Sequence, residues 1–233
     1  MADRGKKYKK AKDSTASFGE SLALDAVLET VVSTAFARFD ESVGVDVVLG
    51  IDPSKGEQVV RGSALLPHGT GKKVRVAAFV KGDKEEDARK AGADFIGGED
   101  LIEKVAGGWM DFDVAVATPD IMGALGKVAR VLGPRGLLPN KKLGTVTFDV
   151  GPVIEDLKKG KVSFRNDKGG GLHIPFGKVS FGVEKLMENL KALLEAVRSS
   201  KPASSKGKFI KKAVVSSTMG VGVQINPDEF LSK

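Results

Sequence analysis

The chain has 233 residues, 41% hydrophobic and 29% charged, enough to bury a sizeable core in one or two domains. Cysteine is absent, which excludes a disulfide framework and thiolate metal sites and suits a reducing, cytosolic setting. The Met-Ala-Asp-Arg-Gly-Lys-Lys start leads into no apolar run, and no stretch is long and apolar enough to span a bilayer, so neither a signal peptide nor a membrane partner is expected.

The elements are read in chain order from periodicity. Ser21 to Phe36 forms an amphipathic helix with Leu24, Val27, Leu28, Val31 and Ala35 on one face. Val43, Val45, Val47, Leu49 and Ile51 alternate as in a half-buried strand, and residues 58–66 give a partner strand. From residue 68 to 159 strands alternate with helices: Val74–Val80, a charged helix over 83–92, Ala93–Ile96, a helix over Glu99–Ala106, and Asp113–Ala117. Thr118-Pro119-Asp120 then opens a third helix, with Thr118 as cap and Pro119 at a position that needs no N–H. Beyond it come strands at Lys161–Arg165 and Leu172–Phe176. Val183, Leu186, Met187, Leu190, Leu193, Leu194 and Val197 follow helical spacing, and strands return at Phe209–Ser217 and Val221–Ile225.

Strands alternating with helices at this spacing predict a parallel sheet covered on both faces. Neither flank is long enough to close a good core alone, yet together they supply two helices and about six strands. The expected fold is therefore α/β with two domains. Residues 1–67 and 160–233 form a discontinuous α+β sandwich, and residues 68–159 form an inserted doubly wound, Rossmann-like three-layer domain. Pro67-His68-Gly69 and Lys159-Gly160 are the two crossings, and such a two-strand connection can hinge.

The net charge of +7 is unevenly placed. Residues 1–67 carry 9 Lys and Arg against 10 Asp and Glu, residues 68–159 carry 15 against 14, and residues 160–233 carry 13 against 6. Within residues 1–12 of the first segment, Arg4, Lys6, Lys7, Lys9, Lys10 and Lys12 stand against only Asp3. A basic arm and a basic last third suit a polyanion, because neutralised phosphates release counterions. A solvated surface with a floppy tail explains the same charge almost as well.

Signs of catalysis are weak. The two histidines, His68 and His173, fall in different expected domains, and no His-Glu-x-x-His or carboxylate–histidine cluster exists to hold zinc. Gly69-Thr70-Gly71-Lys72-Lys73 fails as a phosphate loop at both ends, with Leu66 where glycine is needed and Lys73 where magnesium needs a hydroxyl. The turn Lys81-Gly82-Asp83-Lys84-Glu85-Glu86-Asp87 puts four carboxylates where a dinucleotide fold cradles pyrophosphate. No Gly-x-Ser-x-Gly elbow is present. Aromatic residues are too sparse for a base-stacking platform, so an RNA target would be folded and read by shape, phosphates and 2′-hydroxyls.

Residues 121–140, Ile-Met-Gly-Ala-Leu-Gly-Lys-Val-Ala-Arg-Val-Leu-Gly-Pro-Arg-Gly-Leu-Leu-Pro-Asn, closely resemble the signature of the ribosomal protein L-one family, the proteins of the mobile stalk beside the ribosomal exit site. Agreement extends across nearly the whole chain, through Phe39-Asp40-Glu41-Ser42-Val43, Leu49-Gly50-Ile51-Asp52-Pro53, Gly108-Trp109-Met110-Asp111-Phe112-Asp113, Phe164-Arg165-Asn166-Asp167-Lys168 and Thr218-Met219-Gly220, with the bacterial form fitting best. The resemblance implies a large-subunit component that binds folded ribosomal RNA with its terminal segments. It also implies help in releasing deacylated transfer RNA from the exit site and repression of its own messenger through a mimic of the ribosomal site. It implies a cytoplasmic, ribosomal location, a monomer when free, no cofactor and no catalysis.

RNA contacts of the family carry over to Arg38, Phe39 and Ser42 after the first helix and to Thr218, Met219 and Gly220. Arg165 and Lys168 belong to the same face by analogy. Thr218 offers a small hydroxyl to 2′-OH groups, Gly220 admits close backbone approach, Phe39 lies against a ribose or base, and the cations suit phosphates. Each has a plain alternative: Phe39 as core, Thr218-Met219-Gly220 as a hairpin turn, the cations as solvated surface. Residues 121–140 stand apart as a family marker, a stiff surface loop after a helix with room for a secondary RNA contact. The basic tract Lys201–Lys212 stands apart as a second phosphate contact or a mobile loop. A nucleotide-dependent enzyme and a dimeric DNA-binding regulator remain as competing readings, the second lacking any helix-turn-helix or heptad pattern.

Overall fold

A computed structural model describes residues 5–15, 23–82, 84–205 and 207–226. The expected helix start at Ser21 lies outside the described residues, as do Arg4, Asp83 and Lys206. In chain order the elements are α1 (Lys6–Thr15), α2 (Leu24–Ser33), β1 (Ser42–Leu49), β2 (Arg61–Leu65), β3 (Val76–Phe79), α3 (Lys84–Lys90), β4 (Phe95–Gly97), α4 (Glu99–Ala106) and β5 (Val114–Ala117). They continue with α5 (Met122–Leu125), α6 (Ala129–Leu132), α7 (Val150–Lys159), β6 (Lys161–Arg165), β7 (Gly171–Lys178), α8 (Val183–Ser199), β8 (Ile210–Ser217) and β9 (Val223–Ile225). The chain divides into two compact units, Met1–Gly71 with Val162–Lys233, and Lys72–Lys161.

The discontinuous unit is built on a four-stranded antiparallel sheet in the order β7-β1-β8-β9. Alternation in β1 sends Val43, Val45, Val47 and Leu49 inward, while Ser42, Asp46 and Val48 stay on the outer face. On the inner face lie α2 and α8, which also pack against each other. Leu186, Leu190, Leu193, Leu194 and Val197 recur on one side of α8 and are at most 2% exposed. Each buried side chain of this size contributes roughly 1.5–3 kcal/mol, so packing rather than helix propensity holds α8 in place. The short pair β2-β6 closes the same core with Ala64 and Phe164, next to Val60 and Leu66.

The other unit has a parallel three-stranded sheet in the order β4-β3-β5. Val76, Ala78 and Val80 join Ala88, Val150, Ile154 and Leu157 on one side, whereas Ala77 and Phe79 join Leu101, Ile102, Val105, Leu125 and Leu132 on the other. Both faces are covered, giving three layers, as a parallel sheet requires. Trp109 stands edge-on to Phe95 at 4.7 Å between ring centroids and touches Phe112. The Gly108–Asp113 motif thus packs against the core through Phe112, which is buried, and through Trp109 and Met110, which are half-buried. Its last residue, Asp113, binds the Lys72 ammonium at 2.8 Å and the Arg75 backbone and guanidinium, and these bonds, the Lys72 one foremost, hold its pKa at about 2.

Several elements differ from expectation. The third helix is broken into a 3-10 turn at Pro119–Ile121, α5, a 3-10 turn at Gly126–Val128, and α6. Gly123 and Gly126 each cost about 1 kcal/mol in a helix interior, which favours the interruption. Thr118 does not cap it: the side chain is buried without a capping bond and its N–H goes to Phe79 O at 3.1 Å. Helix α7 was hidden by Gly151-Pro152, yet proline in a first turn sacrifices no hydrogen bond. The basic arm is ordered as α1, with Ala11 buried and Tyr8 half-buried.

Asn189 is the one fully buried amide on α8 among the described residues. Its Nδ2 donates to Gly69 O at 2.9 Å and to Phe176 O at 2.8 Å, and its Oδ1 accepts the His68 N–H at 3.0 Å. Three backbone groups thus depend on one side chain, which ties the His68-Gly69 segment to the core. Asn189→Ala is expected to lower the unfolding free energy by about 3 kcal/mol in urea titration. A loss below about 1 kcal/mol would show that water replaces the amide.

Candidate nucleic-acid interface

The segment between α2 and β1 is shaped by two neighbouring carboxylates. Glu41 is 1% exposed. Its Oε1 accepts the N–H groups of Phe36 (3.1 Å) and Ala37 (2.8 Å), and its Oε2 accepts the Ser217 hydroxyl (2.7 Å) and the Met219 N–H (3.0 Å). Burial pushes its pKa up, but the four donors, led by Ser217 Oγ, outweigh that and leave it below its ordinary 4.5. Asp40 points the other way, accepting the Ser180 hydroxyl at 2.8 Å and N–H at 3.2 Å, with Lys178 Nζ at 3.6 Å. With both carboxylates anchored, Arg38 and Phe39 are left exposed on the surface. Phe39 is 56% exposed, which rules out the core alternative for it.

The turn after β8 meets this segment. Val43 pairs with Ser217, so Thr218 falls beside Ser42. Its hydroxyl accepts the Ser42 N–H at 3.0 Å and donates to Ser42 O at 3.1 Å. The expected free hydroxyl is therefore already engaged, and Thr218 works first as a clamp between the turn and β1. Met219 stands half exposed beside it. A Cβ on Gly220 would lie 2.3 Å from Ser217 Oγ, the atom bonded to Glu41, so glycine is required by close approach. Arg38, Phe39, Ser42, Thr218, Met219 and Gly220 thus converge at one end of β1.

Arg165 and Lys168 do not join them. Asn166, buried, pairs with Val60 through its backbone and Oδ1, and the turn after it closes when Asp167 Oδ1 accepts the N–H groups of Gly169 (2.8 Å) and Gly171 (2.7 Å). Gly170 O accepts the Leu49 N–H, which puts the turn at the far end of β1. Seven residue steps of about 3.4 Å separate that end from Ser42, roughly 24 Å. Both Arg165 and Lys168 are exposed there.

Between the two ends, on the outer face, His173 Nδ1 lies 2.7 Å from Asp46 Oδ1 and Nε2 lies 3.6 Å from Asp167 Oδ2. The bond to Asp46 is the main cause of its pKa rising above 6.5, so the ring holds a proton to higher pH than a free imidazole.

Elsewhere, Arg130, Arg135, Lys141 and Lys142 of the signature region are exposed in the other unit, and Asn140 caps the 3-10 turn Lys141–Leu143 through Lys142 N at 2.9 Å. In the Lys201–Lys212 tract, Lys208, Lys211 and Lys212 are exposed. Among the described residues no cluster of His, Asp and Glu is arranged to hold a metal ion, and no helix is long and apolar enough to cross a membrane.

Sequence reasoning missed Glu41 and Asp40. Ser180, Ser217 and Met219 lie about 140 to 178 residues away from them, so no local spacing signals these contacts. Glu41→Gln replaces one acceptor oxygen by an NH2 group facing donors and should cost about 2–3 kcal/mol at pH 7. Because the folded pKa is lowered, the carboxylate's contribution is complete above about 4.5 and is lost as pH falls through the folded value. The gap between wild type and Glu41→Gln in urea titrations should therefore narrow towards acid. Equal stability at pH 7 would contradict the assignment.

Comparison with known proteins fits this arrangement into a family. The profile of the ribosomal protein L1p/L10e family matches residues 31–221. The large ribosomal subunit protein uL1 of Maridesulfovibrio salexigens is 53% identical over 227 residues, covering 97% of this chain and 96% of that protein. The proteins of the same name from Nitratidesulfovibrio vulgaris and Desulfotalea psychrophila are each 52% identical, with the same coverage. The matched region contains Arg38, Phe39, Ser42, Arg165, Lys168, Thr218, Met219 and Gly220. The chain belongs to the ribosomal protein L1p/L10e family, a family of ribosomal proteins and not of enzymes.

Proposed function

We propose that this chain is a cytoplasmic structural constituent of the large ribosomal subunit and that its discontinuous domain, residues 1–67 and 160–233, binds the folded ribosomal RNA of the mobile stalk. The inserted segment forms the second domain, with its boundaries moved from the expected 68–159 to Lys72–Lys161. The observation that carries the reading is the exposed strip of Arg38, Phe39, Ser42, Thr218, Met219 and Gly220, held in register by Glu41 and Thr218. It joins an exposed aromatic ring, a thioether and a guanidinium on a rigid backbone, a combination suited to riboses, base faces and phosphates. Arg165 and Lys168 form a second patch about one strand length away, so a bound RNA would lie along the outer face of the sheet.

The names of the relatives place those proteins in the large subunit, and the basic excess of residues 160–233 supports a phosphate-rich partner. At the exit site the protein helps release deacylated transfer RNA. A messenger segment that mimics the ribosomal site occupies the same strip and represses its own translation. The free protein is a monomer.

Purified protein should bind a folded stalk RNA orders of magnitude more tightly than an unrelated duplex of equal length, and keep that advantage as salt rises. Phe39→Ala should weaken stalk binding about tenfold, the order of one lost stacking contact, with stability unchanged within about 0.5 kcal/mol. Thr218→Ala should cost about 1 kcal/mol of stability through its lost clamp and weaken binding with it. If both RNAs bind alike and fade together with salt, charge alone is binding and the reading fails.

A further inference from the structure

The N-terminal helix α1 does not lie apart from the strip. Its first residues and the turn after β8 form the two sides of a cleft of about 650 Å³, lined by Gly5, Lys6, Lys7, Tyr8, Phe36 and Thr218-Met219-Gly220. Tyr8 and Ala11 turn towards the unit, one half-buried and one buried, whereas Lys6, Lys7, Lys9, Lys10 and Lys12 are exposed. The volume falls within the roughly 300–1,000 Å³ of small-ligand sites. The walls are two aromatic rings and a thioether, and the rim is cationic.

We propose that this cleft takes one unstacked nucleotide of the bound RNA, its base against Tyr8, Phe36 and Met219 and its phosphate at Lys6 and Lys7. The proposal rests on the RNA-binding reading of the neighbouring strip and extends it. Three observations favour a nucleotide over an apolar ligand. Met219 and Gly220 belong to both surfaces, so RNA on the strip passes the mouth of the cleft. Five exposed lysines on α1 face only Asp13 as an acidic neighbour on that helix, which selects a polyanion. Aromatic faces accept any base without sequence preference, and Lys6 and Lys7 lie beside them. The basic arm thereby becomes a defined half of a binding site.

The test uses the full chain with the folded stalk RNA, by affinity in a salt series and by the ring signals of ¹³C-labelled tyrosine. Tyr8 is the only tyrosine in the chain, so the ring signals report on the cleft alone. RNA should shift them strongly. Tyr8→Ala should weaken binding about tenfold, Tyr8→Phe should bind within twofold of wild type, and Lys6→Ala with Lys7→Ala together should reduce the salt slope by about one, the share of one phosphate.

Unshifted tyrosine signals, with wild-type affinity and slope in these variants, would overturn the cleft. If Phe39→Ala still weakens binding in that case, the strip survives without it. If Phe39→Ala also binds normally, the strip and the cleft fall together. Tyr8→Phe as weak as Tyr8→Ala would overturn the stacking role.

Discussion

A carboxylate removed from water is costly unless its oxygens are fully engaged, and Glu41 meets that condition with four donors from two distant parts of the chain. Two come from the end of the α2 segment and two from the turn after β8, so one side chain fixes the distance between them. The exposed residues on either side inherit that geometry. Arg38 and Phe39 project because Asp40 and Glu41 are tied down, and Met219 projects because its own N–H is held inside. Thr218 adds a reciprocal pair of bonds to Ser42 and prevents the turn from sliding along β1.

Strand β1 then acts as the ruler of the surface. Its inner side chains carry the core against α2 and α8, and its two ends carry the two groups of candidate contacts. One group is a rigid strip with few charges and the other is a turn with Arg165 and Lys168. Midway, the bond from Asp46 holds His173 and raises its pKa above the ordinary imidazole value, with Asp167 on the other side of the ring. Both ends carry an exposed cation, and the Ser42 end adds an exposed aromatic ring and a thioether.

Much of the architecture was legible from periodicity. The alternation of Val43 to Leu49 and the helical spacing of Leu186 to Val197 are strong because one face of each element is buried. The parallel sheet was legible for the opposite reason, since short runs such as Val76–Phe79 are buried on both faces. The break in the helix after Thr118 and the existence of helix α7 were not legible, because Gly123, Gly126 and Gly151-Pro152 give mixed local signals that tertiary packing decides. The site was legible only through the family resemblance. Composition alone left Phe39 as readily core as contact, and nothing in the sequence tells an exposed Glu from one buried beneath a turn. Thr218 was named as a contact for its hydroxyl, and no local signal showed that the same hydroxyl also bonds the backbone of Ser42.

The central claim is that Glu41 organises the strip before any RNA arrives. Amide hydrogen exchange of the free protein tests it most directly, read at Met219, Ala37 and Phe36. All three N–H groups should be protected in the wild type, although Met219 is half exposed, and should lose protection together when Glu41 is replaced by Ala. Exchange of the Met219 amide at the rate of an unstructured peptide in the wild-type protein would contradict the account, because the strip would then be assembled by its ligand and not by Glu41.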